Sequence, residues 1–204
     1  IRLLFFLLIF LFGCNNSQPK KIVAAVVSAK KEASEIGIKT LEKGGNAFDA
    51  MIATDLALAV CYPSAGNIGG GGFMIYRTSD GMVGTLDYRE KAPEKSNEDM
   101  FLDSNGNVIK GKSTIGGLSV GVPGTIAGLF EVHKRFGSLP FETLIEPAIR
   151  LARKGYVPTK NQLKNIELYK DLFVSLNGKK TLFASNFKEG DRIINEALAK
   201  TLEL

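Results

Sequence analysis

The sequence predicts a sandwich of helices packed on strands, of the α/β or α+β class. Three observations carry that expectation: a β-branched run at 22–28, two β-prone segments around Ser79-Asp80-Gly81, and helical stretches punctuated by glycine and proline. No internal repeat is present, and 204 residues suffice for one domain core or for part of a larger one.

Taken in order, Ile22-Val23-Ala24-Ala25-Val26-Val27-Ser28 predicts a short buried strand. Residues 32–43 follow with Ala33, Gly37 and Leu41 at i+4 spacing, a helix that Gly44-Gly45 stops. Asn46 then caps a second helix, with Asp49 in its favourable first turn. From 47 to 60 that helix is apolar on nearly every face, which predicts a buried central element ended by Tyr62-Pro63.

A glycine-rich loop at 66–72 leads into a hairpin of 73–77 and 82–89. Four consecutive glycines, 69–72, allow close backbone approach and positive φ. Ser104-Asn105-Gly106-Asn107 marks a turn, and 119–124 a short strand or loop. Helices are expected over 125–136, stopped by Gly137, and from Pro140 to Lys154, with a break or kink at Pro147. Two more are expected at 161–176 and 193–202.

The first residues read as an address. Arg2 precedes ten apolar residues, 3–12, the length of a signal-peptide core and too short for an ordinary membrane span. Leu11-Phe12-Gly13-Cys14 resembles the bacterial lipobox, so Cys14 is the expected lipidation site. The expected division is a signal peptide at 1–13, a polar tether at 14–21, and the folded part at 22–204. The protein is then an extracytoplasmic, periplasmic or cell-surface lipoprotein held to a membrane by its lipid anchor. With Cys14 lipidated, Cys61 at the end of an apolar helix reads as a buried, unpaired thiol. A start at Ile1 and a charged helical end at Leu204 suggest a fragment.

Other chemistries lack their residues. The balance of 26 basic against 21 acidic residues gives +5 without a dense basic, aromatic-studded block, so nucleic-acid binding is not expected. The single histidine, His133, sits in Glu131-Val132-His133-Lys134-Arg135, which reads as a solvated helix face rather than part of a triad. No clustered ligand set suggests a metal. The glycine loop matches neither a P-loop nor a dinucleotide fingerprint, because the order here is helix, glycines, strand. Arg89 beside that loop suits carboxylate capture, but an ordinary ion pair with Glu90 or Asp87 fits the same residues.

Five ordered motifs narrow these readings. They are Gly44-Gly45-Asn46-Ala47-Phe48-Asp49-Ala50, the loop at 66–74, Leu86-Asp87-Tyr88-Arg89-Glu90-Lys91-Ala92-Pro93, the stretch 121–128 beginning Gly121-Val122-Pro123-Gly124, and the stretch 147–155. From residue 22 onward the chain resembles the N-terminal part of the large subunit of gamma-glutamyltranspeptidases, also called glutathione hydrolases.

The resemblance implies an α+β fold of the N-terminal nucleophile hydrolase type, an αββα sandwich of which this chain holds only the N-terminal portion. It implies a precursor that cuts itself, and a threonine at the new small-subunit N-terminus that attacks the γ-glutamyl amide. Its own α-amino group can act as base, so neither histidine, metal nor organic cofactor is required. The implied partners are glutathione, other γ-glutamyl compounds and the chain's own small subunit. Carried over by motif, Arg89 grips the substrate α-carboxylate, Asp87 and Glu90 brace it, and Gly69, Gly70, Gly71 and Gly72 shape the adjoining loop.

Two departures from the family pattern stand out. Lys30-Lys31-Glu32-Ala33 occupies the place where many members carry His-Pro. No threonine of this chain matches the maturation motif, so the chain alone is expected to be inactive. A cephalosporin-acylase-like amidase of the same fold and a non-catalytic, amino-acid-binding lipoprotein are the rival readings.

Overall fold

The computed structural model describes residues 23–204; the expected signal peptide at 1–13, the expected tether at 14–21 and Cys14 lie outside them. Two helices open the fold, α1 at Lys31–Glu42, followed by Gly44-Gly45, and α2 at Ala47–Cys61, which ends at Tyr62-Pro63. Asn46 caps α2 by accepting from the backbone of Phe48 (2.8 Å) and Asp49 (3.0 Å), while the Asp49 carboxylate accepts from Asn46 N at 2.9 Å. This reciprocal pairing satisfies donors that a helix start leaves open. As the all-round apolar pattern predicts, α2 is the core element: Ile52, Ala53, Leu56, Ala57 and Cys61 are buried between α1, α3 and α4. Fully burying a side chain such as Ile52 or Leu56 contributes about 1.5–3 kcal/mol.

The glycine at Gly37 sets how closely α1 and α2 cross. A Cβ there would stand 2.3 Å from Thr54 Oγ1, so the crossing requires its absence.

The hairpin forms as expected. Strand β1 (Phe73–Arg77) pairs antiparallel with β2 (Val83–Asp87), in the register Phe73↔Asp87 to Arg77↔Val83. Gly81, at φ 92°, turns the connection, and Thr78 N donates to Met82 O at 2.9 Å. One further pair, Gly72 with Tyr88, carries the ladder past the strand ends into the glycine loop. One face buries Met74 and sets Tyr76 against Phe48, with ring centroids 5.7 Å apart, while Phe73, Ile75 and Val83 on the other face are exposed.

The later helices are α3 (Thr125–Phe136), α4 (Phe141–Lys154), α5 (Lys160–Asn177) and α6 (Glu196–Leu202). Leu144, Ala148 and Ala152 form a fully buried i+4 stripe on α4, which packs on α2 and α6.

Three expectations need correction. Residues 23–28 are extended but form no strand; Val23 and Val27 are each 92% exposed. A β-branched composition favours a strand only where an edge is present to pair with, and their described neighbours are helical: the pocket they line is completed mainly by α1 and α2 residues. Pro147 does not break α4, because the buried stripe anchors the helix on both sides of it. The last helix starts at Glu196 rather than 193, because Ile193 instead exchanges backbone bonds with Tyr156 (3.2 and 2.9 Å) and Asn195 supplies the cap.

Candidate functional site

Arg89 emerges from the end of the hairpin, and its main chain is packed from two sides. On one side lie Gly71 and Gly72: a Cβ at residue 71 would stand 2.6 Å from Tyr88 O and 2.8 Å from Arg89 Cα. On the other lie Gly124 and Gly128 at the start of α3, where a Cβ would stand 1.9 Å from Tyr88 O and 2.3 Å from Tyr88 Cγ. Gly124 N and Thr125 N both donate to Gly70 O, at 2.8 and 3.1 Å, and Thr125 Oγ1 donates to Asn67 O at 3.1 Å. The start of α3 and the glycine loop are thus bonded to each other, and both pack closely on the backbone of residues 88–90 that carries the arginine. Lys91 and Val122 extend the contact through mutual backbone bonds of 3.2 and 2.8 Å.

The four glycines divide by role. None has positive φ, so the loop uses their lack of a Cβ and not their access to left-handed backbone. Gly71 and Gly72 permit the close approach to Tyr88, Gly70 lies beside Glu90, and Gly69 has only an ordinary contact with Asn67.

The Arg89 side chain is 59% exposed and passes over the Phe73 ring, 5.6 Å from its centroid. Its Nε donates to Glu90 Oε2 at 2.9 Å, and Asp87 Oδ1 accepts from its backbone N–H at 2.9 Å. Among the described residues neither Nη makes a hydrogen bond, so the pair of donors best suited to a carboxylate is free. Glu90 is held below the usual carboxylate range, first by its own backbone N–H and then by Arg89. Asp87, Arg89 and Glu90 share a cavity of about 590 Å³ with Lys91, Pro123 and Glu131.

The remaining chemistry-bearing groups have structural partners. His133 is half-buried rather than solvated; its Nε2 lies 2.7 Å from Leu139 O and its ring meets Phe141 edge-on. Cys61 is fully buried, and burial pushes its thiol up to about 11. Among the described residues no cluster of three or more His, Cys, Asp or Glu could hold a metal ion, and no helix is long and apolar enough to cross a membrane.

The sequence reading missed Tyr88, Gly124 and Gly128 as site residues. The one signal was glycine at i and i+4 where α3 begins, a spacing that allows close backbone contact along one helix face.

A sequence model of the family described as gamma-glutamyltranspeptidase matches residues 33–204. The chain belongs to the gamma-glutamyltranspeptidase family. It is 44% identical over 183 residues to a glutathione hydrolase proenzyme of Pseudomonas sp. (strain A14), covering 88% of this chain and 32% of the relative. A glutathione hydrolase proenzyme of Bacillus subtilis (strain 168) is 41% identical over 186 residues, covering 88% of this chain and 31% of its own length. The chain therefore spans about a third of the length of these relatives.

Among solved structures, the gamma-glutamyltranspeptidase of Helicobacter pylori superposes with a TM-score of 0.86 at 42% identity, over 91% of this chain and 54% of that one. A cephalosporin acylase from Bacillus halodurans shares the fold, with a TM-score of 0.75, at only 24% identity over 94% of this chain and 38% of that one. This part of a gamma-glutamyltranspeptidase thus has the α+β N-terminal nucleophile hydrolase fold, to whose sheets the described residues contribute a two-stranded one.

Proposed function

We propose that, within its complete polypeptide, this chain forms the carboxylate-holding part of a glutathione hydrolase and γ-glutamyltransferase. Arg89 receives the α-carboxylate of the γ-glutamyl group on its free Nη edge. Glu90 fixes the guanidinium plane through Nε, and Asp87 fixes the backbone from which it projects. The observation that carries this reading is the unengaged Nη pair of an arginine that is held at Nε and at its backbone N–H and lines a 590 Å³ cavity. A planar guanidinium offers two parallel hydrogen bonds where an ammonium offers a point charge.

The chemical step belongs to a threonine that this chain does not supply. That residue attacks the γ-glutamyl carbonyl with its own α-amino group as base, and the acyl group passes to water or to an acceptor amine. Cys14 is proposed as the lipidated residue that tethers the enzyme on the extracytoplasmic side of a membrane.

The test is Arg89→Lys in the complete enzyme. Loss of a bidentate charged contact should lower kcat/KM for a γ-glutamyl anilide by about 30-fold, or ~2 kcal/mol. Unchanged kcat/KM would remove Arg89 from the site. Turnover of a glutaryl amide as readily as of the γ-glutamyl amide would favour the acylase reading, since the glutaryl group lacks the α-amino group.

A further inference from the structure

Phe73 carries a large apolar ring that takes no part in the core. It is 65% exposed and outside the buried cluster, whereas Tyr76 on the opposite face of the hairpin packs against Phe48 and Phe136. Its partner in the register is Asp87, and the hydrogen-bonded pair of Gly72 with Tyr88 follows directly. Directly opposed residues share a face of the ladder, and so do residues two apart along one strand. Phe73, Asp87 and Arg89 therefore stand on one face, and Arg89 Cζ lies over the Phe73 ring, 5.6 Å from its centroid.

Two supports thus meet the guanidinium from different directions. Glu90 accepts from Nε at 2.9 Å, which holds one edge of the plane. A single bond at one edge still permits a pivot about its own N–H···O axis. The ring beneath the cation opposes that pivot. Its attraction acts through the π face and consumes no N–H donor, so both Nη groups stay available for a carboxylate. Phe73 is not among the residues lining the 590 Å³ cavity that Asp87, Arg89 and Glu90 share, so its effect on a ligand there passes through the arginine.

We propose that Phe73 is a positioning residue for carboxylate recognition, an aromatic platform that keeps the Arg89 guanidinium oriented before the ligand arrives. The proposal rests on the assignment of Arg89 to the substrate α-carboxylate. Without the ring, the guanidinium samples orientations in which its two Nη donors are not presented together, and affinity for the carboxylate falls. The chemical step, carried by a residue outside this chain, is untouched.

Steady-state kinetics of the complete enzyme with a γ-glutamyl anilide test this, with the same anilide carrying an α-carboxamide in place of its α-carboxylate as competing ligand. Phe73→Leu keeps the apolar bulk and removes the ring. It should raise KM for the anilide about two- to fivefold, the scale of an exposed cation–π contact, with kcat nearly unchanged. The inhibition constant of the carboxamide should stay at its wild-type value, because that ligand offers Arg89 no charge. Phe73→Tyr keeps the ring and should restore KM. Equal weakening of both ligands would mean a merely structural ring and would overturn the proposal, as would a wild-type KM in Phe73→Leu or no recovery in Phe73→Tyr. Arg89→Lys separates the two readings. If it leaves KM unchanged, the assignment of Arg89 fails and the platform with it; if it raises KM while Phe73→Leu does not, the role of Phe73 alone falls.

Discussion

Gly124 lies directly against the carbonyl of Tyr88; a Cβ at residue 124 would sit 1.9 Å from that oxygen. Neither partner is a flexible side-chain end. The contact therefore ties the start of α3 to the backbone of the residue preceding Arg89, and it is the tightest of the glycine approaches in the site.

Gly124→Ala should consequently shift either α3 or residues 88–90. Overpacking of this kind costs roughly 1–3 kcal/mol, and the complete enzyme should also lose kcat/KM as Arg89 is displaced. Gly69→Ala is the internal control, because its nearest neighbour, Asn67 Oδ1, would be at an ordinary 3.5 Å. That variant should remain within about 0.5 kcal/mol of wild type. Urea unfolding midpoints of the two variants check the contrast, and equal effects would show that the approach of Gly124 to Tyr88 sets no steric limit.

Asp49 predicts a pH dependence. It is fully buried, and besides capping α2 it accepts from Ser138 N at 3.0 Å and from the Ser138 hydroxyl, joining the first motif to the α3–α4 connection. Burial acts to raise its carboxyl, but the Ser138 hydroxyl and the backbone donors of Asn46, Ser138 and Leu139 outweigh burial and hold it below its ordinary value. A folded-state value lower than the unfolded one stabilises the protein above the unfolded value of ~4, and that contribution is lost as pH falls through the folded one. Asp49→Asn should therefore cost about 2 kcal/mol near pH 7, and its Tm deficit should shrink as the pH is lowered below ~4. A deficit independent of pH would mean that geometry, not charge, holds this connection.

Cys61 should be inert in the native state. A fully buried thiol pushed up to about 11 presents almost no thiolate at pH 8. Iodoacetamide labelling, read by peptide mapping at Cys61, should be at least about 100-fold slower in native protein than in urea. Rapid native labelling would place this thiol in an opening region of α2.

Legibility followed the range of the interactions. The start of α2 was readable because Asn46 and Asp49 are three residues apart and cap each other, and the end of α3 because Gly137 stops it locally. Residues 23–28 were misread because composition reports what a segment could pair as, while the pairing edge must come from elsewhere. Arg89 was singled out by motif, but its setting was not: Gly124 and Gly128 reach Tyr88 across more than thirty residues of chain, and no local pattern encodes that approach. Positive φ was the wrong property to read into the glycine run, since steric room and left-handed backbone leave the same signature in sequence.

Glu90 separates positioning from stability. Its bond to Arg89 Nε joins two partly exposed side chains, 59% and 33%, and exposed pairs of this kind typically contribute under ~1 kcal/mol to folding. Glu90→Ala should therefore leave Tm nearly unchanged. Without the Nε acceptor, however, the guanidinium can rotate away from the plane that the Glu90 bond fixes. In the complete enzyme KM for a γ-glutamyl anilide should rise about tenfold with kcat less affected, the pattern expected when substrate binding rather than the chemical step is damaged. Glu90→Gln keeps an oxygen acceptor at the same reach and should recover much of the loss. If the alanine and glutamine variants both match wild type, Arg89 holds its orientation without Glu90, and the brace is the Asp87 contact to its backbone.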